Sequence, residues 1–271
     1  MNYFVSIENS YYHGWQIELL IESFKQKSLE DSLYISVAKS DKEYLASNIN
    51  YSNHKNKFIH ENIGRKTGFI KHNKWSSLYS LLENNIISLP VVVLEPDVIL
   101  CKEIDLNNID VKFMFSVDSG FSYNKKFRKI INDTEEKIKK AWLSIGEIMI
   151  FNNLTLSFFK DINTYYQNTS LIYSASEAEK LAVLAAIWKN RITQVLGSFE
   201  LESNLIDNRI GNVISYKHGI NPYFNKKLYK NNNANFCLSN NYPITTLSKI
   251  DNTQSSEFVS LIAKNYISNL G

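Results

Sequence analysis

The chain has 271 residues, 44% of them hydrophobic and 21% charged, enough to bury a sizeable core in one large α/β domain spanning 1–271. A net charge of +3 is too mild to require a polyanionic partner. Two cysteines, Cys101 and Cys237, exclude a disulfide framework and a cysteine-based metal site, and they point to a reducing compartment. The segment Met1–Ile7 has no basic leader and no long apolar run, and no stretch approaches a membrane span, so the expectation is a cytoplasmic protein with no membrane partner.

In chain order, Tyr3–Ile7 reads as an opening strand. A turn at Asn9, Ser10 and Gly14 leads to a helix with Ile17, Leu20, Ile21 and Phe24 on one face. Leu33–Val37 is a second strand, and strand–helix–strand at this spacing predicts a βαβ unit in a parallel sheet. Residues 47–71 are polar and read as loop with a short strand near Phe58; His54, His60 and His72 fit no metal spacing and read as surface. Trp75, Leu78, Tyr79, Leu82 and Ile86 repeat the helical spacing and lead into a strand at Val91–Leu94. Val111–Val117 and Gly146–Phe151 read as strands, Lys125–Lys140 as a charged surface helix and Leu154–Tyr166 as a helix. Ser176-x-x-Glu179 has the form of a capping box before Leu181, Leu184, Ala185 and Trp188. A short strand at Val213–Tyr216 and a C-terminal helix through Phe258, Leu261, Ile262 and Tyr266 complete the pattern.

The most informative stretch is Val91-Val92-Val93-Leu94-Glu95-Pro96-Asp97-Val98-Ile99-Leu100. An apolar strand ends in two carboxylates, which alternation along an extended chain would place on one side. Acids at the end of a buried strand need a cationic partner, and a divalent metal carrying a nucleotide diphosphate is one. A plain turn, for which Pro and Asp are common residues, explains the same stretch. Because open α/β sheets bind ligands outside the carboxyl ends of their strands, the position favours a site. No Gly-x-Gly-x-x-Gly and no phosphate-binding Gly-Lys-Ser/Thr loop occurs, which disfavours kinase and dinucleotide readings.

Three motifs, in order, resemble a known family. Tyr12-His13-Gly14-Trp15-Gln16 is similar to its Tyr-x-x-Trp-Gln element, and Asn73-Lys74-Trp75 to its Asn-Arg-Pro-Trp element. Glu95-Pro96-Asp97-Val98-Ile99-Leu100-Cys101-Lys102-Glu103-Ile104 resembles its Glu-Pro-Asp-x-Ile-x-x-Lys-Pro-Ile signature. The family is the plant and algal hydroxyproline O-arabinosyltransferases with the related peptidyl-serine galactosyltransferases. Weaker likenesses follow at Glu179, at Ile214-Ser215-Tyr216-Lys217-His218-Gly219 and at Tyr242-Pro243. The chain departs from the family at Ser215, where the family has His, and the family's secretory anchor is not expected in it.

The resemblance implies a GT-A glycosyltransferase fold, a central mostly parallel sheet flanked by helices. It implies a UDP-sugar donor, specifically UDP-L-arabinose, and retention at the anomeric carbon. Glu95 and Asp97 become the expected ligands of Mn²⁺ or Mg²⁺, with His218 as third ligand and Lys217 as a rival that would meet phosphate directly. Lys74 would hold the diphosphate, and Asn73 would bind ribose or sugar hydroxyls or else cap a helix. Ser6, Glu8 and Tyr12, with Gln16, would lie against the uridine, while Trp15 reads as core. Asp118, Glu147 and Glu179 are the candidate catalytic acids. Basic stretches at 54–74 and 217–230 and an AT-rich composition suggest 5-hydroxymethylcytosine in bacteriophage DNA as acceptor. A hydroxylated peptide is the second acceptor, and a glycosyltransferase-like binding protein without catalysis is the reading of a different class.

Overall fold

The computed structural model describes residues 1–39, 54–64, 71–106, 109–117, 145–171, 173–216, 224 and 242–269. The chain opens with β1 (Asn2–Glu8), α1 (Tyr11–Lys25), β2 (Leu33–Ala38) and β3 (Lys57–His60). There follow α2 (His72–Glu83), β4 (Val91–Leu94), β5 (Val98–Leu100), β6 (Phe113–Val117) and β7 (Ile145–Phe151). The second half contains α3 (Leu156–Ser170), α4 (Ala175–Lys189), β8 (Val195–Ser198), β9 (Glu202–Asn204), β10 (Val213–Ser215), α5 (Tyr242–Leu247) and α6 (Gln254–Ser268).

These strands form a seven-stranded sheet in the order β3-β2-β1-β4-β7-β6-β8 and a three-stranded sheet in the order β5-β10-β9. The first four strands of the large sheet are parallel, as the expected βαβ unit requires; β7 runs antiparallel to both β4 and β6, and β8 is parallel to β6. The sheet is therefore mixed but mostly parallel. Its central strands are buried on both faces, which is why Val91–Leu94 is a continuous apolar run rather than an alternating one.

Alternation still sorts the side chains. Phe4, Val91 and Val93 enter a core with Trp75, Leu78 and Leu81 of α2, Phe158, Phe159 and Ile162 of α3, and Leu181 and Ala185 of α4. Tyr3, Val5, Val92 and Leu94 face the opposite core with Ile17, Leu20, Ile21 and Phe24 of α1, the helical face the sequence spacing picks out. The small sheet lies over this second core through Val98, Leu100 and Val213. Its other face, Ile99 and Ile214, meets a third core with Trp15, Tyr216 and Val259, Ile262 and Ala263 of α6. Trp15, 4% exposed, is core as the sequence predicts.

Three expectations are corrected. The box at Ser176-x-x-Glu179 does not form: α4 starts at Ala175 with Ser174 at the N-cap, so Glu179 lies inside the helix. The capping box found in the structure joins Thr253 and Ser256 at the start of α6. His72 is 4% exposed, not a surface residue, because it opens α2 against Tyr166 of α3. Ile86 falls beyond the end of α2 and is 43% exposed. The predicted helix at Lys125–Lys140 lies outside the described residues. No helix among the described residues is long and apolar enough to cross a membrane.

Gly146 marks where β7 tolerates no side chain. The β6–β7 register shifts between Phe115 and Val117, and a Cβ on Gly146 would lie 2.2 Å from Ser116 Oγ and 2.6 Å from its carbonyl oxygen. Ser116 Oγ is already committed, accepting from the Ile148 N–H at 3.1 Å and donating to Glu202 at 2.7 Å. Gly146→Ala is expected to lower unfolding free energy by about 1–3 kcal/mol through overpacking, measured by denaturant titration.

Candidate functional site

The carboxyl ends of β1, β2 and β4 lie along one edge of the large sheet because those strands are parallel. The antiparallel β7 brings its beginning, Ile145 to Glu147, to the same edge. Lys71 and the first turn of α2 also reach it, where Lys71 and Lys74 both meet Glu95. Topology thus brings Glu8, Lys71, Lys74, Glu95 and Glu147 from four separate segments to one edge.

Six charged side chains meet at this edge. Lys71 Nζ donates to Glu179 Oε2 at 2.5 Å and to Glu95 Oε1 at 3.0 Å, and lies 4.0 Å from Glu147. Lys74 donates to Glu179 Oε1 at 2.6 Å and also to Glu95 Oε1. Lys180 lies 3.6 Å from the other oxygen of Glu147. The side chains are 21% exposed for Lys71, 5% for Lys74, 9% for Lys180, 16% for Glu95, 11% for Glu147 and 1% for Glu179. Charges so deeply placed cost several kcal/mol each unless they are paired, and here three ammoniums oppose three carboxylates.

The pairing fixes protonation. Burial alone would push the Glu95 carboxyl up, but Lys71 and Lys74 offset this and hold it far below the carboxylate range. Burial alone would pull Lys71 down, but Glu179, Glu95 and Glu147 together hold it well above the ordinary lysine value.

Asp97, the second acid of the signature, lies across Pro96 from this cluster. The strand stops at Leu94, and β5 resumes at Val98 in the small sheet. Glu95 continues the side of β4 that faces α2 and α4, while Asp97 lies beside Tyr216. The Asp97 carbonyl accepts from the Tyr216 N–H at 3.1 Å, and the Tyr216 hydroxyl donates to the Pro96 carbonyl at 3.5 Å. The Tyr216 phenol is pushed well above its ordinary value by burial, then by the Asp97 carboxylate and Tyr12. Asp97 is 5% exposed. The expected placement of both acids on one side is therefore replaced by two environments, divided at Pro96.

Other expected site residues are placed as follows. Ser6 and Glu8 lie in the last three residues of β1, and Tyr12 is in the first turn of α1. Gln16 is fully buried and donates to the Tyr12 carbonyl at 2.5 Å. Asn73 is committed to the preceding loop: its Oδ1 accepts from the Gly64 N–H at 2.8 Å and its Nδ2 donates to Asn62 at 2.9 Å. Asp118, Lys217 and His218 lie outside the described residues. Sequence reading missed Lys71 and Lys180. Both carried a signal, since lysines three before Lys74 and directly after Glu179 are needed to neutralise acids facing an apolar core.

Among the described residues, no three His, Cys, Asp or Glu side chains converge to hold a metal ion. Glu95 has its cationic partners in two lysines.

No family model and no curated protein matches the chain. Solved structures do. LgtC, a galactosyltransferase solved in complex with donor and acceptor sugar analogs, aligns over 98% of this chain and 96% of its own, with a TM-score of 0.54 and 10% identity. An active-site mutant of LgtC aligns over the same shares with a TM-score of 0.55 and 10% identity. The bifunctional glycosyltransferase WbbM, in its apo form, covers 97% of this chain and 51% of its own, with a TM-score of 0.52 and 11% identity. At such identities the likeness concerns the fold, and the fold is the GT-A type the sequence resemblance implies.

Lys74 is the most buried of the three lysines. Lys74→Met is expected to cost about 3–5 kcal/mol of unfolding free energy, as for other broken buried pairs. Glu95 lies below its unfolded value of 4.5, so its contribution is complete above that pH and lost as pH falls through the folded value. Lys71 lies above 10.5, so its contribution is complete below that pH and lost as pH rises through the folded value. The stability difference between wild type and Lys74→Met, from denaturant titrations, is therefore expected to stay flat from about pH 5 to about pH 10.

Proposed function

We propose that the chain is a nucleotide-sugar-dependent glycosyltransferase. One observation carries this reading: a Glu-Pro-Asp segment leaves the central strand at the ligand edge of a GT-A sheet, with its first acid held in a buried lysine lattice. A strand that merely ended in a turn would not bring three further buried charges to its tip.

In this reading the uridine lies over the carboxyl ends of β1 and β2, near Ser6, Glu8 and Tyr12, with Gln16 holding the first turn of α1 in place. The diphosphate lies between Asp97 and the start of α2, whose first turn carries no acidic residue and whose peptide N–H groups favour an anion. The donor sugar lies against Glu95, Glu147 and Glu179. Transfer breaks the bond between the anomeric carbon and the diphosphate oxygen and forms one to the acceptor oxygen, whose proton leaves to a base. The buried carboxylates sit where positive charge develops on the sugar ring, and their lysines hold them in place before the reaction begins. Asp118 is the further acid assigned to this pocket.

Asp97 and His218 are the residues we assign to Mn²⁺ or Mg²⁺, and Lys217 is assigned to phosphate. Carboxylate and imidazole suit such an ion, which would supply counter-charge to the departing diphosphate. Glu95 is left out of that shell, since its lysines already neutralise it.

L-arabinose is the donor sugar that the Glu-Pro-Asp signature supports, with retention at the anomeric carbon. A 5-hydroxymethylcytosine in DNA is the acceptor proposed first, and a hydroxyproline peptide the second. The basic stretch at 54–74 lends the DNA acceptor less than its composition suggests, because Lys71 and Lys74 turn inward. The exposed Lys55 remains on that surface, paired with Asp31 at 3.2 Å.

Incubation with a panel of UDP-sugars, with and without Mn²⁺, is expected to release UDP from UDP-L-arabinose. Mass spectrometry should then show a pentose increment on DNA carrying hydroxymethylcytosine. Asp97→Ala is expected to lower the rate about 100-fold or more. A hexose transferred in preference would refute the donor assignment. UDP bound without any release would identify a binding protein, and no response to any UDP compound would overturn the whole reading.

A further inference from the structure

Every carboxylate that Lys71 touches has a second lysine. Glu95 and Glu179 each also accept from Lys74, and Glu147 has Lys180 at 3.6 Å. Lys74 shares Glu95 and Glu179 with Lys71, so the cover is mutual and exposure separates the two. Lys71 is the most exposed of the three lysines, 21% against 5% and 9%. It stands at the N-terminal boundary of α2, beside a first turn without an acid. Moving its ammonium outward would leave no lattice carboxylate without a cation and would not require the core to open.

A second detail gives the movement a direction. The two oxygens of Glu179 are divided between the lysines, Oε1 to Lys74 and Oε2 to Lys71. When Lys71 leaves, Glu179 stays fixed by Lys74, and Oε2 becomes an acceptor turned to the place the ammonium vacated. A carboxylate oxygen there is suited to a hydroxyl donor.

We propose that Lys71 is a releasable cation for the donor, an assignment that rests on the nucleotide-sugar reading. On entry of the donor, its ammonium passes from the carboxylates to the diphosphate, and Glu179 Oε2 takes a hydroxyl of the sugar in its place. No covalent bond changes in this step. One charge-assisted contact is exchanged for another, and a sugar hydroxyl fills the position that is left. The exchange is complete only for a ligand carrying both a diphosphate and a sugar, so the device favours the intact donor over either half.

The test compares wild type, Lys71→Met, Lys71→Arg and Lys74→Met by calorimetric titration with UDP and by thermal melting without ligand. Lys71→Met is expected to weaken UDP about tenfold or more, the loss of one charge-assisted contact. Lys71→Arg keeps the charge and is expected to stay within about threefold of wild type. The unliganded melting temperature should fall less in Lys71→Met than in Lys74→Met. UDP affinity unchanged in Lys71→Met overturns the assignment of Lys71 alone. So does an arginine variant that binds no better than the methionine one, or a Lys71→Met protein as unstable as Lys74→Met. Wild type that binds no UDP at all overturns this assignment together with the nucleotide-sugar reading.

Discussion

Buried charge cannot be assembled one group at a time, and this governs the ligand edge of the molecule. Lys71 and Lys74 come from the start of α2, Glu95 from the end of β4, Glu147 from β7, and Glu179 and Lys180 from α4. Each alone would lose its hydration without compensation. Together they pair at 2.5–4.0 Å, so the edge exists only when sheet and helices have reached their final places. The same constraint ties α2 to α4 across the top of the aromatic core, where Trp75 and Phe151 meet edge to face at 5.9 Å. It also explains a helix that hydrophobic patterning describes poorly. Positions 178–187 of α4 are all buried, Glu179 and Lys180 among them, because the lattice gives two charged residues a reason to lie inside.

Such a lattice is not the cheapest way to fill the space. Apolar residues of similar volume commonly stabilise a fold as well or better than buried ion pairs. What the charges provide instead is placement, since carboxylates clamped by two ammoniums keep their oxygens in fixed positions. Fixed oxygens at the end of a central strand are suited to reading sugar hydroxyls and to facing a charge that develops during reaction. This is the physical ground for assigning the lattice to the donor rather than to stability, and it agrees with its position at the carboxyl edge of a GT-A sheet.

Much of this was legible in the sequence wherever periodicity speaks. The strand at Val91–Leu94, the α1 face of Ile17, Leu20, Ile21 and Phe24, and the βαβ opening follow from spacing alone. Glu95 and Glu179 stood out in the sequence as candidate acids, but their mutual proximity was not legible. They are 84 positions apart in the chain and meet through Lys71 and Lys74, of which only Lys74 stood out in the sequence. His72 was misread for the same reason: a polar loop was extended one residue too far, into a helix whose first turn is buried by α3. The box at Ser176 failed because two serines compete for the cap. Ser174 precedes the helix and bonds Glu177 at 3.1 Å, which leaves Glu179 free of any capping duty. The two carboxylates of the signature were expected together because alternation was carried through Pro96. The chain leaves the large sheet there, and alternation holds only within a strand.

That division has an electrostatic consequence. Three lysines and three carboxylates leave the lattice formally neutral, so it offers no net attraction to a diphosphate. Asp97, on the other side of Pro96, adds a negative charge at the same edge. An anion approaching the described part of the site thus meets no excess of positive charge at long range. What draws it must act at short range or come from outside this set: peptide N–H groups at the start of α2, an ammonium that can leave its carboxylates, Lys217, or a cation held by Asp97. Each of these discriminates by geometry more than by charge. A bare polyanion gains little from them, whereas a ligand that brings a diphosphate and a hydroxylated ring in fixed relation can use several at once.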